Sequence, residues 1–405
     1  MRAVEAFPVE QDGETLFCLH DPEAFAEKPL LLPLPWFFLV AQMDGTRGTA
    51  ALQAAFASQF QGLDLPEARI HELTELLDRH GFLDNANSAA RIREVREAFL
   101  AADMRPAWHA GAAYPKEPAD LLRWLDGLFA ADATGEGAEH NPVDGALRGI
   151  LVPHMDLRVA ASVYVPAYRL LRSVEPADLY VILGVAHHGD GACFIATSKD
   201  FETPLGPVST DRETLQRWEE EAGLPLCDGE LAHRVEHSIE FQLPFLQYVN
   251  NRPFQILPVL CGPLEPLLHA GTEPGQVPEL ARLLEGLAAA IGRTEKRVQF
   301  VLSVDLSHVG PKFGDADAIR DEQAAQVRAR DAELLACAEG VDADAWFAHF
   351  AGDKNARRVD AGLAVYTFLS LLRRGQGTML GYDQDRQPET DSMVSYASMA
   401  FFSET

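Results

Sequence analysis

Positive charge is scarce in this 405-residue chain. Lys and Arg number 34 against 61 Asp and Glu, a formal charge of −27. A field of that sign repels nucleic-acid duplexes and anionic membranes. The expected partner is therefore a small-molecule or peptide ligand, with no nucleic acid and no membrane. Cysteine is scarce too. Cys18, Cys193, Cys227, Cys261 and Cys337 form no C-x-x-C pair and are odd in number. That pattern argues against a disulfide framework, and a reducing cytosol fits better. No basic stretch followed by an apolar run and a small-residue cleavage site opens the chain. The most apolar early run, Pro29 to Ala41, holds three prolines and is too short to span a bilayer. These absences predict a soluble, cytoplasmic protein. Walker A and G-x-G-x-x-G patterns are missing, so nucleotide binding is not indicated. No G-x-S-x-G elbow surrounds Ser303. Ser303, Asp305 and His308 also lie too close in sequence for the usual hydrolase relay.

What is present suits an ordinary globular protein: 47% of residues are hydrophobic. The length is long for a single core and predicts two domains. Residues 1–104 read as a small α+β unit. Asp12-Gly13 marks a turn between two short strands. Helical patterns follow at 34–44, 48–60 and 66–80, the last with Pro66 near its start and Gly81 at its end. A charged helix over 89–102 leads out of the unit. Pro106 marks the boundary, and residues 105–405 alternate strands and helices in the βαβ manner. The Gly- and acid-rich stretch from Ala131 to Gly145 reads as a surface loop. Two strand-like runs, Thr378 to Tyr382 and Met393 to Phe402, close the chain.

Three short apolar runs carry the chemical signal. Residues 149–153 lead into His154, residues 180–184 into His187 and His188, and residues 299–303 into Asp305 and His308. Continuous apolar runs of this length suit parallel strands buried on both faces. In an open α/β sheet, ligands gather beyond the carboxyl ends of the strands. A fourth polar cluster, residues 236–240, is expected to open a helix. Together these clusters predict a metal or acid–base site. His187 and His188 are adjacent, so in extended chain they point to opposite sides. His187 is the expected ligand, and His188 a partner that holds a tautomer. The reference pKa of histidine, about 6.5, suits general acid or base work, which makes His308 a candidate, with Asp305 to orient it or ligate a metal.

These residues also resemble a known family. Ala113-Tyr114-Pro115 resembles its "YP" element, and Val152-Pro153-His154 its "PHAGY". Residues 182–188, Ile-Leu-Gly-Val-Ala-His-His, resemble "ILGPSHH", and Thr203-Pro204-Leu205-Gly206 resembles "TPLG". Residues 236–245 resemble "EHSIEMQLPFL", the most specific of the set. Residues 303–308 resemble "SSDLSH", and Val394-Ser395-Tyr396-Ala397 resembles "VSYA". In this order they match the Memo family, also called AmmeMemoRadiSam system protein B, over residues 107–405. The family's fold is similar to LigB-type class III extradiol dioxygenases. That resemblance implies an α/β, three-layer domain with a mixed, mainly parallel sheet. It is preceded by the small domain, whose "DGTR … GFL" pattern resembles PqqD-like and winged-helix modules. Such modules often bind peptides or proteins, so the unit is expected to be either a surface for a protein partner or a structural appendage of the main domain.

The resemblance implies that His154, His187 and His237 face a transition metal. The chain departs from the family in three places. "PHAGY" becomes Pro153-His154-Met155-Asp156-Leu157, which adds Asp156 as a candidate ligand. Arg158 beside it could hold a substrate carboxylate or pair with Asp156. "SHH" becomes Ala186-His187-His188. The family's "CG" segment falls near Ala356-Arg357, where no cysteine stands. The harder ligand set favours Fe(II), Zn or Mn over Cu(I), with Fe(II) the first choice. Two readings stand at this point. One is a metal-dependent redox or oxygenase-like protein acting in a modification system. The other is a noncatalytic adaptor that binds a peptide or small ligand in the same pocket. Glu236 and Glu240 flank His237 either as inward partners or as plain surface charge.

Overall fold

The computed structural model describes residues 1–26, 28–132, 145–189 and 191–404, with the side chain of residue 132 left aside. Most of the loop expected over 131–145 lies outside the described residues. The chain forms two compact units, Met1–Ala101 and Ala102–Thr405.

The first unit opens with strands β1 (Glu5–Gln11), β2 (Glu14–His20) and β3 (Leu30–Pro33), paired antiparallel in that order. Asp12 and Gly13 both take positive φ at the β1–β2 turn, the conformation such a turn requires. Helices α1 (Leu34–Ala41), α2 (Thr49–Gln59), α3 (Glu67–Arg79) and α4 (Ala86–Ala101) follow. Ile70, Leu73 and Leu77 repeat at helical spacing on α3. They bury against Leu19, Leu30, Leu39 and Phe56, so the unit has its own core.

The second unit begins with β4 (Met104–Arg105), α5 (Pro118–Asp132), β5 (Leu147–Val152), α6 (Ala161–Ser173) and β6 (Leu179–Val185). Short strands β7 (Phe194–Ala196), β8 (Asp200–Phe201) and β9 (Ser209–Thr210) lead to α7 (Arg212–Ala222) and α8 (Gln242–Val249). Then come β10 (Gln255–Cys261), α9 (Glu265–Ala270), α10 (Pro278–Gly292), β11 (Val298–Ser303) and β12 (His308–Val309). Helices α11 (Asp321–Glu339), α12 (Ala343–Asp353) and α13 (Gly362–Leu372) precede the long hairpin of β13 (Gln376–Gln387) and β14 (Ser392–Phe402).

The main sheet runs β12-β14-β5-β11-β6-β10-β7, with β13 beside β14 and β9 beside β10. Its centre, β5-β11-β6-β10, is parallel, and β14 and β7 flank it antiparallel. The strands are apolar at successive positions because both faces are covered. Val181, Leu183, Phe300 and Leu302 face one core, which α7, α10, α12 and α13 complete. Their neighbours Tyr180, Ile182 and Val301 face a second core, which α5, α6 and α8 complete. That alternation produces the three-layer α/β domain. No helix among the described residues is long and apolar enough to cross a membrane.

Candidate functional site

The sheet order places the site. β11 lies between β5 and β6, so the three strand ends that carry His154, Asp305 and His187 are neighbours. The turn over residues 236–240 closes the same edge. Sequence reasoning expects a helix to open there, but the helix begins at Gln242. Two features delay it. Glu236 Oε1 accepts the backbone N–H groups of His237 and Ser238, at 2.8 and 2.9 Å, and so caps its own turn. Pro244 then falls in the first helical turn, where a missing N–H costs nothing. The turn lies directly on β6. Ser238 Oγ donates to Val185 O and accepts from Val185 N, both at 3.1 Å. Gly184 permits this approach, since a Cβ there would sit 2.6 Å from Ser238 Oγ.

Each histidine is oriented through Nδ1. His154 Nδ1 lies 3.0 Å from the carbonyl oxygen of Ser303. A carbonyl only accepts, so Nδ1 carries the proton and Nε2 faces the site. His187 Nδ1 donates to the Glu236 carboxylate, at 3.0 and 3.1 Å, and His187 N donates to it as well. His237 Nδ1 lies 3.3 Å from Glu236 Oε1. The His237 ring stacks on His187 at 4.8 Å and meets His154 edge-on at 5.1 Å. Donor nitrogens of His154, His187 and His237 all fall within 4.8 Å of one another. A second group with the same spacing joins His154 to Asp305 and Asp360. His154 is at the floor, 3% exposed, while the His187 and His237 side chains are 32% and 30% exposed. A ligand would therefore arrive over His187 and His237.

Asp305 is buried, and its Oδ1 accepts the backbone N–H of His154 at 3.1 Å. His308 Nδ1 donates to the carbonyls of Leu306 and Arg358, at 3.1 and 3.0 Å. Its Nε2 lies 4.0 Å from Asp360 Oδ2, at the rim of the cluster. Two other expected residues stand apart from these groups. Asp156 is engaged by Arg158, whose Nε donates to Oδ1 at 2.9 Å, so its charge is already matched. His188 belongs to neither donor group among the described residues.

Asp360 and His109 escaped the sequence reading. Asp360 ends the loop between α12 and α13. Asn355 ties that loop down by bonds to Glu265 and Val359. Arg357 fastens it to the buried Asp331, and Arg358 to Asp315. The only signal in the chain was an acid placed just before the apolar run that becomes α13. His109 rests against His237 and Phe241, with ring centroids 5.9 and 5.4 Å away, and its Nε2 donates to Val235 O. Its signal was the His-Ala-Gly turn just ahead of Tyr114-Pro115.

The segment that carries His109 is fixed by a closed ion pair. Glu240 and Arg105 are both fully buried and bonded to each other. Glu240 also accepts from Trp108 N, His109 N and the Tyr114 hydroxyl. Arg105 also donates to the carbonyls of His233, Pro106 and Glu236.

The electrostatics follow from these neighbours. Burial alone would depress the His154 pKa, but the Asp305 and Asp360 carboxylates overcome it and raise it to about 10. Burial likewise opposes charge on His187, yet Glu236 raises its pKa. Burial would raise the Glu236 pKa, but the His187 charge holds it well below the carboxylate range. His237 is pushed well below 6.5 by burial and keeps a free lone pair. Asp305 is raised by burial, whereas the His154 charge outweighs burial at Asp360 and lowers it. Such a set of neutral or displaceable imidazoles beside carboxylates is what a divalent metal requires.

Comparison with known proteins gives a consistent result. The family model described as Memo-like protein matches residues 105–400. A MEMO1 family protein of Aquifex aeolicus is 31% identical over 402 residues, covering 98% of this chain and 99% of its own length. That likeness extends through the first unit as well. A MEMO1 family protein of Thermus thermophilus is 31% identical over 340 residues, 84% of this chain and 94% of its own. One from Methanosarcina barkeri is 33% identical over 215 residues, 51% and 69% of the two chains.

Proposed function

This chain belongs to the Memo-like family, and from that premise we propose that its second unit is a metal-dependent redox or oxygenase-like protein. One observation carries the reading: three imidazoles have Nδ1 set on a carbonyl or carboxylate, while their donor nitrogens converge within 4.8 Å. Second partners of this kind orient histidines that bind metals. An adaptor pocket would have no need to make these donors converge. His154 and His187, with His237 and the nearby carboxylates, would hold the ion. Fe(II) is the first choice for such nitrogen and oxygen donors, with Zn, Mn or Cu next. When bound, the metal supplies Lewis acidity or redox capacity.

The remaining work falls to the chain's own side chains. Glu236 keeps His187 and His237 in register. His154 and Asp305, buried at the floor, exclude water from that side. His308, locked by two carbonyls through Nδ1, presents Nε2 to accept or return a proton at the rim. The test is elemental analysis of protein purified anaerobically without a metal-affinity tag, beside a His154→Ala/His187→Ala variant. Near-stoichiometric transition metal, lost in the variant, is the expected result. Protein that remains metal-free after reconstitution with Fe(II), Mn(II) or Zn(II) would overturn the reading.

A further inference from the structure

We propose that Asp360 is the anionic ligand of this centre, completing a set with His154 and His187 that selects metals preferring oxygen and nitrogen over thiolate. The inference rests on the metal-dependent reading above and names a residue that reading leaves open.

The geometry starts with an orphan. Asp360 Oδ1 accepts the backbone N–H of Asp305 at 2.8 Å. Its Oδ2 is buried and makes no aligned hydrogen bond among the described residues, its nearest partner being the His154 imidazole in an ion pair. A buried carboxylate oxygen without a donor is costly, and most are satisfied. This one is surrounded by imidazole nitrogens instead. His154 Nε2 is 3.2 Å away, outside hydrogen-bonding alignment, and the Nε2 atoms of His187 and His308 are each 4.0 Å away. The Nδ1 atoms of all three rings are already committed to carbonyls or to Glu236. Metal–nitrogen and metal–oxygen bonds near 2 Å set ligand atoms roughly 3–4 Å apart around one ion. Oδ2 therefore sits where a cation would satisfy it together with the imidazoles.

Asp305 is the less suitable carboxylate. One of its oxygens is spent on the His154 backbone, and the other reaches His154 Nε2 only at 3.6 Å. The loop itself points to the same residue. Ala356, near the position where the resemblance sets a cysteine, is exposed, whereas four residues later the Asp360 side chain is 15% exposed and turned into the cluster. No cysteine joins either donor group among the described residues. With a carboxylate in place of a thiolate, the site favours Fe(II), Mn(II) or Co(II) over Cu(I).

Co(II) is the probe, since its visible spectrum reports ligand type without any assay of turnover. The full chain is titrated with Co(II) alongside Asp360→Asn, Asp360→Cys and His154→Ala. Wild type is expected to bind one Co(II) with no thiolate-to-metal charge-transfer band. Asp360→Asn should lose affinity by at least about 100-fold, the upper end of what losing an outer partner costs. Asp360→Cys should bind again, show the near-ultraviolet thiolate band, and shift its preference toward Cu(I). That recovery separates ligand loss from misfolding. If His154→Ala abolishes binding while Asp360→Asn stays within a few-fold of wild type, the inference fails and the metal reading survives. The inference fails in the same way if Asp360→Cys binds Co(II) without the thiolate band. If wild type binds no Co(II), the reading beneath falls and the inference with it.

Discussion

Two inward-turned carboxylates in this molecule, 120 residues apart, have opposite fates. Glu240 is closed: a guanidinium, a phenol and two backbone N–H groups consume it. Asp360 is open: one oxygen accepts a backbone N–H, and the other faces only imidazole nitrogens among the described residues, with His154 Nε2 paired to it at 3.2 Å. Both are inward-turned charges near histidines, Glu240 fully buried and Asp360 15% exposed, so position and charge do not by themselves distinguish a structural pair from a site. The unspent valence does. Glu240 holds a segment of chain in place, while Asp360 holds a place for something else.

Removing the closed partner gives the largest expected effect. Glu240→Ala strands the Arg105 guanidinium at 0% exposure and should cost about 3–5 kcal/mol. Urea unfolding measures it, and a loss under about 1 kcal/mol would mean that the pair is not closed in solution.

Histidines extend the contrast. His233 is buried with no carboxylate bonded to it among the described residues, its Nε2 donates to Ile195 O, and burial lowers its pKa to about 4. The unfolded chain protonates first as pH falls, so stability is lost between pH 6.5 and about 4. The full loss approaches about 3 kcal/mol. A His233→Gln variant should lack this slope in stability against pH, and an unchanged slope would assign it elsewhere.

Filling the open cluster should stabilise the fold. At free Co(II) 100 times the Kd, the gain is about 2.7 kcal/mol, visible as a rise in Tm that EDTA reverses. His154→Ala should show no such rise.

Asp360→Asn, in metal-free protein, should change stability by less than about 1.5 kcal/mol, because the amide oxygen still accepts from Asp305 N. A loss comparable to that of Glu240→Ala would erase the distinction between the two carboxylates. Smallest of all is Asp156→Ala. Its partner Arg158 is 63% exposed, so the pair contributes under about 1 kcal/mol. Co(II) affinity should be unchanged in that variant, and a tenfold fall would return Asp156 to the ligand set.

The strand ends were readable in the chain because fully buried parallel strands leave unbroken apolar runs, and the polar residue after each run marks its end. His154, His187 and Asp305 were found that way. The order of the strands was not readable. β11 enters between β5 and β6 although it follows them by more than 100 residues, and only that insertion makes their ends adjacent. His237 was readable from its motif, but its position in a turn before α8 was not. The decisive bonds come from the Glu236 side chain to its own backbone. Asp360 was hidden for a related reason. Beyond its place just before the apolar run of α13, nothing local distinguishes it from the other acids of the chain, and its meaning arises from three imidazoles drawn from distant segments.

The loop that carries Asp360 has one further consequence. Lys354, Asn355 and Arg358 all hold positive φ, which non-glycine residues keep only where their surroundings enforce it. The bonds of Asn355, Arg357 and Arg358 provide that enforcement. An arriving ion therefore meets a backbone whose conformational entropy was lost at folding, not at binding. Loading the centre becomes an exchange of protons and solvent for metal within a rigid frame. Hydrogen exchange across residues 353–360 should then be nearly the same in the empty and loaded protein.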